Sequence, residues 1–344
     1  MNARERVLAA IDHREPDRLP VDLGATPSSG ISCIAYDRLI KRLGLSNRHN
    51  RVYDVVQEVT QPEGEVLDHF RIDVIDVGRA FNTEDSDWYD FTLPDGTAIE
   101  FPRWFRPERR PDASYAARKN GEVLARMPEG ANFFDQAIWP WVDGYPDDFS
   151  GLDAAMNRVL WQAFVHSPWD NAGGDDFWQQ LRARALRLRA NTDRALVVVA
   201  GCNLFEWGTF IRRIDNFLMD LATCPGDVER LLDALMERHL ATLEKVCAAV
   251  GDVVDVIRMG DDLGTDKGPF MSPTIYRRLF KPRHTMLCDY IKKHSQMRTF
   301  LHSCGSIHKL MPDLIEAGYD VINPVQITAR DMEPAKLKAE FGKD

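Results

Sequence analysis

Short apolar segments alternate with longer segments of helical periodicity through the second half of the chain. The apolar segments are residues 195–201, 253–259, 298–302 and 320–324. Each is apolar throughout instead of alternating with polar residues, which is typical of parallel strands covered by helices on both faces. The pattern therefore predicts an α/β fold.

Helical spacing is clearest after Pro225, where apolar residues recur every three or four positions. A later helix is predicted to begin at Ser272 and Pro273, whose residue types are favoured at an N-cap and a first turn. Pro282 is expected to kink that helix. The apolar residues that predict the helix after Pro225 are Val228, Leu231, Leu232, Leu235, Met236, Leu240, Leu243 and Val246.

The first half of the chain is less regular. Asn2 and Glu5 have the spacing of a capping box at a helix start, and residues 18–24 and 73–81 are predicted as strands. Residues 88–141 contain FTLPDGTAIEF, a predicted hairpin with Asp-Gly at its turn. We interpret this stretch as an excursion from a single domain that spans residues 1–344.

The strand count bears on the architecture. Six predicted strands fit an open sheet, or a TIM (β/α)8-type barrel whose last two strands lie beyond Asp344. The final residues, FGKD, have no capping character, so we favour the barrel.

Charge and cysteine usage exclude several classes of function. The net charge is −10, from 53 acidic and 43 basic residues, which argues against sequence-independent nucleic-acid binding and gives no reason to expect binding to an anionic membrane. No apolar run approaches the roughly 20 residues of a membrane span. Six cysteines without framework spacing, and no apparent signal peptide, favour free thiols and a cytoplasmic location.

Polar residues collect where the predicted strands end, which is where parallel α/β folds bind ligands. The sharpest case is His302-Ser303-Cys304. Side chains two residues apart on an extended backbone point the same way, and imidazole with thiolate suits Zn²⁺. The alternative is a core histidine beside a buried thiol.

Carboxylates follow the neighbouring strands. Asp261 and Asp262 are adjacent, so at most one can face the site on an extended backbone, as a metal ligand, a general base or a substrate-orienting group. Their alternative role is to cap the following segment. Glu206 lies among aromatic residues, which predicts a paired carboxylate or a raised pKa. It is a candidate third ligand or acid, or a helix-terminus residue.

Other strand-end residues are candidates for catalysis or substrate binding. Asp73 is a candidate catalytic residue, and Arg79 and Trp207 are candidate substrate-binding residues. Asn323 and Gln326 are candidate hydrogen-bonding residues for a substrate, although Asn323-Pro324 also suits a turn.

Three segments together resemble the uroporphyrinogen decarboxylase superfamily: RERVLAAIDHREPDRLPVDLG, RMGDDLGTDKGPFMSPTIYRRLFKPRH and LHSCGSIHKLMPDLIEAGYDVINPVQ. The resemblance covers nearly the whole chain and is most specific over residues 250–341. It implies a (β/α)8 barrel, and therefore that the last two strands are missing from these 344 residues.

Two chemistries occur in this superfamily. True decarboxylases have an arginine-bearing loop after the first strand, and here that position has VDLGATPSSG, without arginine. The aspartate that contacts the pyrroles in those enzymes matches Asp73, but their active-site tyrosine falls near Phe210. An acidic porphyrinogen facing Asp22 without a guanidinium would be poorly held, so the resemblance favours the other branch.

That branch comprises corrinoid-dependent methyltransferases, whose H-x-C zinc ligands match His302 and Cys304. Their further cysteine ligand would lie beyond residue 344, with Glu206 as a substitute. The resemblance thus implies methyl transfer to or from the corrinoid (cobalamin) of a partner protein, with a zinc-activated small-molecule acceptor or donor. A decarboxylase of tetrapyrrole biosynthesis and a non-catalytic tetrapyrrole-binding module are the alternatives, and a homodimer stays open.

Overall fold

A computed structural model describes residues 1–45 and 49–343. The chain divides into two compact units. Unit 1 contains Met1–Val7, Pro16–Pro140 and Asp153–Leu196, and unit 2 contains Leu8–Glu15, Trp141–Leu152 and Val197–Asp344. The expectation of a single domain over residues 1–344 stays a prediction. None of the helices in the described residues is long and apolar enough to cross a membrane.

The strands of the described residues are short. They are β1 (Ile31–Ser32), β2 (Val52–Asp54), β3 (Val59–Thr60), β4 (Val74–Asp76), β5 (Trp88–Thr92), β6 (Ala98–Pro102), β7 (Glu108–Arg109), β8 (Tyr115–Lys119), β9 (Glu122–Met127), β10 (Asp135–Gln136), β11 (Ala195–Gly201), β12 (Val256–Gly260), β13 (Gly264–Thr265), β14 (Gly268–Pro269), β15 (Arg298–His302) and β16 (Val321–Asn323).

The α-helices vary more in length. They are α1 (Ala3–Ile11), α2 (Cys33–Arg42), α3 (Gly64–His69), α4 (Leu152–Met156), α5 (Leu160–Ala163), α6 (Phe177–Asn191), α7 (Phe205–Arg212), α8 (Ile214–Thr223), α9 (Pro225–Val250), α10 (Pro273–Leu279), α11 (Lys281–His294), α12 (Met311–Ala317) and α13 (Pro334–Phe341).

The central sheet has the strand order β16-β15-β12-β11-β4. The pairs β11·β12, β12·β15 and β15·β16 are parallel. Strands β11 and β15 have the predicted bounds, and β12 and β16 differ from them by up to three residues. The α/β fold with parallel strands is therefore confirmed. Closure into an eight-stranded barrel stays a prediction.

The helix starts follow local hydrogen-bonding rules. Asn2 and Glu5 form the predicted capping box, with each side chain accepting from the other residue's backbone N–H. Ser272 caps α10 by accepting from the N–H of Ile275. Pro282 does not kink one helix as predicted. It lies in the first turn of α11, which starts after a break at Phe280, because a proline is tolerated in a first turn and not in a helix interior.

The predicted strand at residues 18–24 is wrong. Pro20 has no N–H to donate, and the N–H of Val21 donates to the side chain of Asp73. A single backbone bond, from the N–H of Asp73 to the carbonyl of Val21, joins this segment to the start of β4. The residues lie beside β4 without forming a ladder.

The second predicted strand, residues 73–81, is shorter than expected. β4 ends at Asp76, and a 3₁₀ turn follows over Val77–Ala80. The carboxylate of Asp76 accepts from the N–H of Gly78 at 2.9 Å, which caps that turn. A Cβ at position 78 would lie 2.4 Å from the carbonyl oxygen of Ser167, so the close approach of the chain requires glycine.

Residues 88–136 build small antiparallel sheets of their own. β5 and β6 form the predicted hairpin, with Trp88 opposite Pro102 and with Gly96 at φ +86° in its turn. β10-β9-β8-β7 form a separate four-stranded sheet. Neither the hairpin nor the four-stranded sheet joins the central sheet. Both are therefore consistent with the predicted excursion over residues 88–141.

Asp73 anchors the N-terminal segments of unit 1. It is fully buried, and its carboxylate pairs with Arg6 at 2.7 Å and with Arg18 at 2.7 Å. It also accepts the N–H of Val21 at 2.8 Å. Because β4 begins at Val74, Asp73 lies at the amino end of the strand, which is opposite to the end where parallel α/β folds place their active sites.

We predict that Asp73→Ala lowers the free energy of unfolding by about 3–5 kcal/mol, because it removes the buried carboxylate that Arg6 and Arg18 share and leaves Asp17 as the remaining carboxylate partner of Arg6. Equilibrium urea unfolding measures the change. The matched control is Asp17→Ala, which removes an exposed partner of the same Arg6 and should cost much less. Equal losses in the two variants would contradict the structural role of Asp73.

Candidate metal centre

Three neighbouring strands end side by side in unit 2. In their parallel register Gly260 of β12 lies opposite His302 of β15, and His302 lies opposite Asn323 of β16. Asp262 and Cys304 each follow two residues after this row. The register therefore brings Asp262, 40 residues before His302, and Asn323, 21 residues after it, to one edge of the sheet.

His302, Cys304 and Asp262 converge on one point. The Nε2 atom of His302 is 3.5 Å from the Sγ of Cys304 and 3.6 Å from the Oδ1 of Asp262. One ligand atom from each residue lies within 4.8 Å of the others. Tetrahedral zinc with ordinary Zn–N, Zn–O and Zn–S bonds separates its ligands by about 3.4–3.6 Å, so the three residues fit a zinc ion.

The orientation of His302 is fixed by its other ring nitrogen. Nδ1 lies 2.8 Å from the Oδ1 of Asn323, an oxygen that can only accept, so Nδ1 carries the proton. The lone pair is then on Nε2, the atom that faces Cys304 and Asp262. An imidazole held in this way is the usual arrangement in protein zinc sites.

The loop after β15 is shaped around Cys304. The N–H of Cys304 donates to the Oδ1 of Asp262 at 2.8 Å, and the N–H of Gly305 donates to Gln326 at 2.8 Å. Gly305 has φ +84°, and a Cβ there would lie 2.3 Å from the backbone carbon of Gly264. Glycine at position 305 therefore permits the turn that presents the thiol.

The thiol and the imidazole are both electrically neutral at pH 7 without a metal. Burial and, after it, the charge of the nearby Asp262 carboxylate together raise the pKa of the Cys304 thiol to about 12. Burial lowers the pKa of His302, with Arg258 as the next cause. A bound divalent cation would favour the thiolate, which is the form that ligates zinc.

Glu206 lies in the first turn of α7, and its carboxylate accepts from the side-chain amide of Asn203. Burial raises the pKa of Glu206 to about 8, and the charges of Asp262 and Asp261 raise it as well. Its own charge also raises the pKa of Cys304. Glu206 is therefore close enough to the triad to act on it electrostatically.

Asp261 does not face the triad. Its carboxylate accepts from the backbone N–H groups of Phe205 at 3.0 Å and Glu206 at 2.9 Å. It is fully buried and caps α7, whereas the sequence suggested a cap for the segment that follows it. Of the two adjacent aspartates, Asp262 is the one in the triad.

Gln326 and Trp207 are two further site residues that the sequence predicted. Gln326 bridges Gly305 and Asp266, so it positions the Cys304 loop. Trp207 is buried against Phe210 at a ring distance of 5.8 Å.

Arg79 and Asp73 belong to unit 1. Arg79 donates to the carbonyl of Pro62 at 2.6 Å, and Asp73 is held in its ion pairs with Arg6 and Arg18. Contacts of Arg79, Asp73 and Trp207 with a substrate stay predictions.

Sequence reasoning missed Asn203 and His284. Asn203 lies in the segment that follows β11, residues 201–208, and an amide there has no distinctive spacing. His284 lies on the buried face of α11 with Leu287, Cys288 and Ile291. The signal in the sequence was its helical spacing with these apolar residues, which predicts that the histidine is buried. A buried histidine needs a hydrogen-bond partner.

Residues 189–338 match the family model for uroporphyrinogen decarboxylase (URO-D). This part of the chain is therefore similar to the uroporphyrinogen decarboxylase family. The matched residues include every member of the triad, and they span somewhat less than half of the chain.

A methyltransferase from Methanosarcina mazei is a similar solved structure, with 14% identity and a TM-score of 0.49, over 94% of this chain and 75% of that chain. At this TM-score the likeness carries no argument about fold or function. No curated protein matches the chain.

We predict that the chain binds about one zinc ion and that His302→Ala and Cys304→Ser each lose most of it, because each removes a ligand atom from the triad. Metal analysis after dialysis measures the content. The matched controls are His308→Ala, on a residue paired with Glu340, and Cys224→Ser, on an exposed thiol. Equal zinc in all five proteins would contradict the site.

Zinc binding should also release a proton. The Cys304 thiol has a pKa of about 12, so at pH 7 it must lose its proton to ligate the metal, and the affinity should rise by about tenfold per pH unit. Calorimetry in buffers of different ionisation enthalpy counts the protons released. Cys304→Ser should lower the count by about one, and an unchanged count would contradict thiolate ligation.

Proposed function

We propose that the chain is a methyltransferase that moves a methyl group between the corrinoid of a partner protein and a small molecule activated by zinc. We further propose that it does so on a (β/α)8-type barrel. The observation that carries the proposal is the convergence of His302, Cys304 and Asp262 at distances suited to zinc.

The donor set is suited to activating a thiol or a similar nucleophile. Zinc, when bound, lowers the pKa of a coordinated thiol so that it is deprotonated at neutral pH. His302 and Cys304 supply nitrogen and sulfur ligands and Asp262 an oxygen. The Asp262 side chain is 37% exposed, so solvent and a substrate can reach the triad.

Methyl transfer to a thiol also requires a place for the thiol's proton. A corrinoid, when bound, would supply the methyl group and keep the bonding electron pair on cobalt, and the acceptor thiol would give up its S–H proton as its sulfur bonds to the methyl group. Glu206 has a carboxyl whose pKa is raised to about 8, and a bound divalent cation would favour its ionised form, which can accept that proton. We propose that Glu206 is the proton-holding group beside the triad.

The alternative within the family, porphyrinogen decarboxylation, is less suited to these residues. The segment after Pro20, VDLGATPSSG, contains no arginine to bind substrate carboxylates. Asp22, an exposed residue of that segment, would present a carboxyl instead of a guanidinium to an acidic porphyrinogen.

We expect the zinc-loaded chain to demethylate methylcobalamin in the presence of a thiol or tetrahydrofolate acceptor, and His302→Ala to lose this activity. The change in cobalamin absorbance measures turnover, with His308→Ala as the matched control. Release of CO₂ from uroporphyrinogen at an enzymatic rate would reverse the assignment. No turnover in either assay, together with tight tetrapyrrole binding, would favour a non-catalytic module.

A further inference from the structure

Asp261 joins the segments that carry the site. Its backbone N–H donates to the carbonyl of His302 at 2.8 Å, and its carboxylate accepts from the start of α7 at Phe205 and Glu206. It directly precedes Asp262. One fully buried residue therefore links the end of β15, the first turn of α7 and the carboxylate of the triad.

A chain of hydrogen bonds lies behind Asp261. The Nε2 of His284 is 3.2 Å from the Oδ2 of Asp261, and the hydroxyl of Tyr276 is 3.0 Å from the Nδ1 of His284. All three residues are buried, at no more than 1% exposure. The buried carboxylate accepts, so Nε2 donates, and with a neutral imidazole Nδ1 then accepts from the tyrosine hydroxyl.

We propose that Tyr276, His284 and Asp261 are positioning residues that hold Glu206 and Asp262 in register with His302. The inference rests on the proposed metal site. A short polar side chain such as serine is enough to cap a surface helix. A buried carboxylate bonded to two amides and an imidazole is costly to desolvate, and it fixes its donors more strongly than neutral bonds do.

The chain offers a control with similar burial. Arg212 lies at the other end of α7, and its Nε donates to the carboxylate of Asp220 at 2.8 Å. Both residues are buried, at 8% and 6% exposure. Asp220→Asn should therefore destabilise the same helix without disturbing its first turn.

The experiment compares full-chain Asp261→Asn and His284→Phe with wild type, His284→Gln and Asp220→Asn. Co²⁺ is the probe, and its d–d spectrum and affinity are measured in competition with a chelator. Amide hydrogen exchange of Phe205 and Glu206 is followed without metal, and the melting temperature of each protein is recorded. His284→Gln keeps a donor for Asp261, so it serves as the conservative rescue.

We expect Asp261→Asn and His284→Phe to weaken Co²⁺ binding by about 10–100-fold, as loss of residues that support metal ligands does, and to alter the spectrum. Exchange at Phe205 and Glu206 should become faster in both. His284→Gln should bind more tightly than His284→Phe. Asp220→Asn should keep the affinity, the spectrum and the exchange of wild type even where its melting temperature falls.

Unchanged affinity, spectrum and exchange in folded Asp261→Asn and His284→Phe would overturn the inference, as would equal weakening in Asp220→Asn. If Asp261→Asn does not fold, His284→Phe decides. If wild type itself binds no Co²⁺, the proposed metal site fails. The exchange of the Phe205 and Glu206 amides then still decides whether these residues hold the first turn of α7.

Discussion

The parallel register of β12, β15 and β16 is the constraint on which the candidate site depends. It sets Gly260, His302 and Asn323 in one row, so that Asn323 reaches the imidazole from one side and Asp262 from the other. A shift of one residue in either pair would turn the side chains to the opposite face of the sheet. The geometry of the candidate site therefore depends on the pairing of these strands.

The acidic groups at this edge of the sheet favour the binding of a cation. Asp261, Asp262 and Glu206 crowd together, and burial with mutual repulsion raises the pKa of Glu206 to about 8. The Cys304 thiol is held protonated for the same two reasons, since its pKa is raised to about 12. A divalent cation would relieve both, because it stabilises every anionic group within a few ångströms.

The sequence predicted the parts of the fold that depend on apolar patterning. The segments at residues 195–201 and 298–302 are strands with the predicted bounds because buried parallel strands must be apolar throughout. The segment at residues 18–24 has enough apolar residues to predict a strand. The N–H of its Val21 donates to the side chain of Asp73, however, and no strand ladder forms. Apolar patterning cannot distinguish these two ways of satisfying a backbone N–H.

The candidate site was predictable where its geometry is local. His302 and Cys304 are two residues apart, so their convergence follows from the strand itself. Which aspartate faces them was not predictable, because the answer depends on Asp261 capping a helix 55 residues earlier in the chain. His284 also acts through a contact between distant segments. Its position in the sequence gives no indication of its partner.

X-ray absorption at the zinc edge of the loaded protein tests the central claim most directly. His302, Cys304 and Asp262 as ligands predict one sulfur at about 2.3 Å, with nitrogen and oxygen at about 2.0–2.2 Å, and multiple scattering from an imidazole. Cys304→Ser should remove the sulfur contribution alone. A zinc spectrum without sulfur, or one that Cys304→Ser leaves unchanged, would contradict the account.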